Sequence, residues 1–218
     1  AVRATGGNNA KRVLVVQGPM TNIGYTVKHF DASRIKDTAK DRLMVEIHSY
    51  DPYNFCQNTD AKTAYYYWVG HAPKRATKFS TRQDEQSIKD NFASLNTAFV
   101  DKGYPVILGE YGAIRRTLSV SEGDQAKHDE SRQYWYQLIT AEAMQDGVIP
   151  FVWDTNATGS NTLTVINRRD GSVFDQCDLS GITAGVGEAK EDYKSIFPAP
   201  PTTDISPVSA GKSSGGNV

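Results

Sequence analysis

Cysteine is scarce in this sequence, with only Cys56 and Cys177. Two cysteines this far apart make neither a disulfide framework nor a zinc site. They read as inert thiols, with a single bridge between distant loops as the alternative. No dense Lys/Arg block occurs and the formal net charge is −1. Nucleic acid and anionic membrane surfaces are therefore poor candidates for the main partner. No apolar run approaches the roughly 18 residues that a membrane span needs. The opening Ala1-Val2-Arg3-Ala4-Thr5-Gly6-Gly7 has neither the basic nor the apolar region of a signal peptide. It has no initiator Met, so a processed product or a fragment is expected, and export stays open. The first strand candidate is followed by no Gly-rich phosphate motif, which disfavours a dinucleotide-binding α/β enzyme.

What is present is an alternation of strand and helix. Strands are predicted at 11–18, 43–50, 105–110 and 148–154. They are short β-rich runs without clean alternation, as parallel strands covered on both faces tend to be. Ile88, Phe92, Leu95 and Phe99 recur at helical spacing. Thr81 with Asp84 and Glu85 marks the start of that helix, and Gly103 its end. A second long helix is predicted from about Gln125 to Asp146, closed by Gly147, with Trp135 on its core side. Segments 22–40 and 188–197 read as shorter helices. From Pro198 the chain becomes Pro/Ser/Gly-rich and reads as a linker or tail. The expected division is thus 1–197 for the folded unit and 198–218 for the tail.

Four βα units build a parallel sheet with right-handed crossovers. A barrel is preferred over a doubly wound sheet for two reasons. Each strand ends in polar or aromatic groups: Gln17, His48 to Tyr50, Glu110, and Trp153 to Asp154. Two following loops, 51–80 and 155–187, are long. In (β/α)8 barrels the chemistry sits at that rim.

Glu110 closes an apolar strand in Gly109-Glu110-Tyr111-Gly112, where small neighbours are expected to let a bulky substrate approach. On its own, a strand-end Glu is more often a structural ion. The neighbouring strand changes the weighing. Glu46, His48 and Tyr50 alternate onto one face, the barrel interior, while Val45 and Ile47 face the helices. A Tyr hydroxyl there can orient a catalytic carboxylate. Glu46, lying deeper, is expected to be a buried ion paired with an Arg or Lys. Trp153, Trp68 and Tyr53 are candidate sugar-binding rings, since aromatic faces match the apolar faces of sugars. The competing reading of the Tyr65–Trp68 cluster is that it packs a long loop.

The runs LMVEIHSYDPYNF, PVILGEYG and VIPFVWDTN closely resemble glycoside hydrolase family 5, in particular the endo-β-1,4-glucanases and xyloglucanases of its fourth subfamily. The opening VRATGGNNAKRVLVVQG resembles it too, and the likeness runs to about Phe197. The resemblance implies a (β/α)8 TIM barrel, of which this chain supplies units five to eight. It implies Glu110 as nucleophile, His48 and Tyr50 as the rim pair on strand six, and Trp153 as the aromatic platform on strand eight. It implies a retaining mechanism without metal or other cofactor, a β-glucan substrate, and secretion or a cell-surface location. One departure stands out. The family's acid/base Glu follows an Asn at the end of strand four, and no Asn-Glu pair occurs in this sequence. A partner is therefore expected: a complementary N-terminal half-barrel, as a separate chain, an upstream segment or a twin copy. Without it, two sheet edges and an apolar interior are exposed. A non-catalytic carbohydrate-binding half-barrel is the alternative function.

Overall fold

The computed structural model describes residues 1–196, and side chains as far as Ala189. The expected tail at 198–218 lies outside the described residues, as does Phe197. Four parallel strands form one sheet: β1 (Leu14–Asn22), β2 (Leu43–Ser49), β3 (Val106–Tyr111) and β4 (Val148–Val152). Their spatial order is β1-β2-β3-β4, each strand pairing with its successor in sequence. A doubly wound sheet reverses its order at a switch point. This one does not, and the sequential order is that of a barrel wall.

The helices follow the predicted units, except for one short helix, Tyr53–Cys56, inside the segment expected to be a loop. They are α1 (Ile23–His29), α2 (Tyr53–Cys56), α3 (Arg82–Ala98), α4 (Gln125–Gln145) and α5 (Gln176–Ile196). Asp84 accepts the Thr81 amide at 2.6 Å, which fixes the start of α3. Past a short 3-10 turn, Gly103 adopts the left-handed conformation at φ 82°. Asp124 caps α4 by accepting the Lys127 amide.

Three boundaries differ from the sequence reading. β1 runs past Gly18 to Asn22, through an irregularity that shifts its register against β2. In segment 22–40 only Ile23–His29 is α-helical, because Asp31 turns back to take the Ser33 amide and a 3-10 turn follows. The last helix begins at Gln176, twelve residues before the predicted 188, which shortens the loop after β4. Gly181 and Gly185 obscured it, since glycine disfavours helix interiors. Both are required by packing. A Cβ at Gly181 would overlap the Gln133 carbonyl, and one at Gly185 would come within 2.6 Å of the Gln137 carbonyl. The two long helices therefore touch backbone to backbone.

The strand faces are unlike. Val45, Ile47, Val106, Leu108 and Val148 are buried against Phe92, Leu95, Trp135 and Ile139 of the helices. The opposite face stays open. Val13 and Val15 are each 45% exposed, Phe151 is 52% and Trp153 is 45%. The register Gln17–Glu46–Ile107–Ile149 runs across this open face. Among the described residues, neither β1 nor β4 has a second strand neighbour, and no helix is long and apolar enough to cross a membrane.

Candidate active site

β2 delivers Glu46 and His48 to the open face, and Tyr50 follows at its end. β3 delivers Glu110, which lies directly opposite His48 in the strand register. The Tyr50 hydroxyl donates to Glu110 Oε2 at 2.9 Å. Burial, and then this bond, push the Tyr50 phenol well above its ordinary pKa, so it stays protonated and remains a donor. His48 Nδ1 lies 3.5 Å from the same Oε2. Its other nitrogen, Nε2, is 3.1 Å from Glu46 Oε1. Oε2 of Glu110 thus accepts from Tyr50 with the His48 ring alongside, and the Glu110 side chain is 27% exposed.

The strand ends are anchored from behind. Trp135 is fully buried, as its helical phase predicts, and its Nε1 donates to the Asp51 carbonyl at 3.0 Å. That bond fixes the turn just after Tyr50. The Trp153 amide donates to the Tyr111 carbonyl at 3.0 Å, which sets the Trp153 backbone beside the end of β3. Asp154 gathers the following loop by accepting the amides of Asn156, Val165 and Ile166. Tyr53, on α2, is 59% exposed.

Several expectations are corrected here. Trp68 is wholly buried and packs its ring 5.6 Å from that of Phe55. It presents no face to a sugar. Tyr66 and Tyr67 are buried too, so the Tyr65–Trp68 cluster packs the loop, and the Tyr67 hydroxyl accepts the Asp124 amide. Glu46 is partly exposed and pairs with His48, with no Arg or Lys partner among the described residues. The glycines flanking Glu110 serve packing rather than substrate approach. A Cβ at Gly109 would overlap the Glu46 carboxylate, and one at Gly112 would press on Leu163. Cys56 and Cys177 are both free thiols, and burial raises both pKa values.

A buried ionic cluster behind the rim had no signal in the sequence. Arg132, on α4, donates to Asp178 at 2.6 Å, to Asp175 at 2.9 Å and to the Ala113 carbonyl at 3.2 Å. It thereby joins α5 to the segment just after Glu110. Burial pushes Asp178 up to about 8, against the pull of Arg132. His128 is also buried. Its Nε2 accepts the Arg116 amide while Nδ1–H donates to the Tyr66 carbonyl, and burial drops its pKa to about 3. It is a neutral structural histidine.

Known proteins carry the same frame. Residues 1–159 match the family model for cellulase, glycosyl hydrolase family 5. The chain belongs to glycoside hydrolase family 5. It is 31% identical over 198 residues to endoglucanase A of Paenibacillus barcinonensis, covering 85% of this chain and 46% of that protein. Among solved structures, it is 43% identical to XEG5B, a xyloglucan-specific β-1,4-glucanase from a ruminal metagenomic library. That superposition has a TM-score of 0.77 and covers 86% of this chain and 49% of XEG5B. A GH5-4 broad-specificity endoglucanase from Bacteroides salanitronis is 31% identical, with TM-score 0.68 and coverage of 85% and 46%. The chain therefore spans about half the length of these relatives. As a member of the family, its four-stranded wall is the C-terminal half of a (β/α)8 barrel, and Glu110, His48, Tyr50 and Trp153 stand on its C-terminal rim.

Proposed function

We propose that this chain is the nucleophile-bearing half of a retaining endo-β-1,4-glucanase. The observation that carries the reading is the 2.9 Å bond from Tyr50 to Glu110, at a strand end beside the half-exposed Trp153. Trp153 and Tyr53 supply flat surfaces for a glucan chain. Tyr50 holds Oε2, with the His48 ring beside it, which leaves Oε1 to attack the anomeric carbon.

In the first step the Glu110–sugar bond forms as the glycosidic C–O bond breaks, and an acid protonates the leaving oxygen. In the second step that same residue, now a base, takes a proton from water, which attacks the anomeric carbon and frees Glu110. Retention requires the two carboxyl groups to stand about 5–5.5 Å apart. Glu46 is a poor acid for this, being deeper on the neighbouring strand and engaged with His48. The acid/base is therefore proposed to come from a complementary half-barrel. The exposed Val13, Val15 and Phe151 on the open face are apolar surface that such a half would cover. Two carboxyl groups suffice for the chemistry, so no cofactor is required. A polymeric glucan lies outside the cell, so the enzyme is proposed to act there, secreted or on the cell surface.

The test is reconstitution. The chain alone is expected to leave soluble β-glucan intact. The chain joined to strands one to four of a family member is expected to hydrolyse it and to release the β-anomer first. Full family rates from the chain alone, or an α-anomer as first product, would overturn the proposal. A reconstituted barrel that binds glucan but never turns it over would instead favour the carbohydrate-binding reading.

A further inference from the structure

We infer that Glu46 is a positioning residue for the nucleophile, acting through the ring of His48. The inference rests on the retaining mechanism proposed above. Two separate observations lead to it. The first is the partner of Glu46. An ionised carboxylate only accepts hydrogen bonds. Among the described residues, the bond that Glu46 makes on the open face is with His48 Nε2, at 3.1 Å. That assigns the proton to Nε2 and fixes which way the ring is turned. The second is the seat of Glu46. Its carboxylate lies where a side chain at Gly109 would begin, and a Cβ there would come within 3.0 Å of Cγ and Cδ and overlap Oε1. Glycine immediately before the nucleophile thus leaves a notch on β3 that receives a side chain from β2.

The consequence is a continuous row across two strands: Glu46, His48, Glu110, Tyr50. Glu46 takes the Nε2 proton, so the Nδ1 that stands 3.5 Å from Glu110 Oε2 presents a lone pair, and Tyr50 is the donor to that oxygen. Oε2 is thus drawn toward Tyr50 by a hydrogen bond and turned away from the ring by lone-pair repulsion, so Oε1 has one direction to face. Freeing the His48 ring removes one of the two constraints. A misplacement of about 1 Å at a reacting group costs roughly 100-fold in rate.

The experiment uses the full barrel, with this chain joined to its complementary half. Ring-nitrogen correlation spectra give the tautomer of His48. The rate of covalent labelling by a 2-deoxy-2-fluoro cellobioside gives the glycosylation step. Wild type is expected to show the Nε2–H form and to label at Glu110. Glu46→Ala is expected to mix the tautomers and slow labelling about 10- to 100-fold, with the half-saturating probe concentration changed by less than about threefold. Gly109→Ala, which evicts the carboxylate from its notch, is expected to reproduce both effects and to add little in the Glu46→Ala background. It also decides the matter should Glu46→Ala not fold. Glu46→Gln, whose amide oxygen still accepts from Nε2–H, is expected to restore the tautomer and most of the rate. An unchanged tautomer and labelling rate in Glu46→Ala or Gly109→Ala would overturn the inference, as would fully additive losses in the double variant. Absence of labelling at Glu110 in wild type would instead sink the retaining mechanism itself.

Discussion

Replacing Tyr50 with Phe isolates the bond on which the functional reading turns. The hydroxyl donates to Glu110 Oε2 at 2.9 Å, and the ring is packed against the buried core. Phe keeps that packing and loses only the donor. Two effects then oppose each other. A hydrogen bond to a carboxylate stabilises its charge, so losing it should make Glu110 more nucleophilic. The same bond fixes Oε2, so losing it lets the attacking oxygen wander. A bond to a charged group contributes about 1.5–3 kcal/mol, and only part of that is given up as the charge is spent in the transition state. Loss of alignment alone costs up to about 100-fold. Alignment wins, and the glycosylation rate is expected to fall roughly 10- to 100-fold, or about 1.4–2.7 kcal/mol of barrel-bound transition-state stabilisation. The assay is pre-steady-state release of dinitrophenol from a 2-deoxy-2-fluoro cellobioside by the full barrel, with a thermal melt alongside. A variant that labels as fast as wild type at unchanged stability would refute the reasoning. Equal loss in rate and stability would show that Tyr50 is a structural residue.

The two tryptophans separate binding from packing. Trp153→Ala is expected to raise KM for cello-oligosaccharides roughly tenfold through lost stacking, with an unchanged melting midpoint. Trp68→Ala is expected to cost about 3–5 kcal/mol of stability, read by urea denaturation, while activity per folded molecule stays near wild type. Arg132→Ala removes the cation that bridges Asp175 and Asp178 and leaves Asp175 with Arg115 alone, and is expected to destabilise by about 3–5 kcal/mol. For Asp178 the folded pKa is raised from 3.8 to about 8. Its contribution is therefore full below about pH 4 and is lost as pH rises through about 8. Asp178→Asn is expected to flatten the decline in thermal midpoint between pH 5 and pH 8, and an unchanged slope would contradict the assignment.

Much of the fold was legible because its signals are local. The steps of four, three and four from Ile88 to Phe99 need only a helix with one buried side. The alternation from Glu46 to Tyr50 needs only a strand with two unlike faces, and it placed His48 and Tyr50 beside Glu110 before any geometry was known. What escaped depends on which segments meet. Gly181 and Gly185 lower helix propensity, yet the close approach of α4 makes glycine the residue that fits. Gly109 looked like room for substrate, and is room for Glu46. Glu46 was expected to need a cation because a buried carboxylate usually does, but it is partly exposed and has the rim histidine two residues on as its hydrogen-bond partner. Trp68 has the composition of a sugar platform, and only the path of the loop shows that its ring points into the core. Arg132, Asp175 and Asp178 are far apart in sequence, so no spacing betrays their cluster.

The account stands or falls on Glu110 as nucleophile. The direct measurement is peptide mass spectrometry of the full barrel after reaction with a 2-deoxy-2-fluoro cellobioside. One covalently bound fluorocellobiosyl group on Glu110, absent in Glu110→Gln, is the predicted result. A label on Glu46 or on any other residue, or continued turnover by Glu110→Gln at wild-type rates, would contradict it.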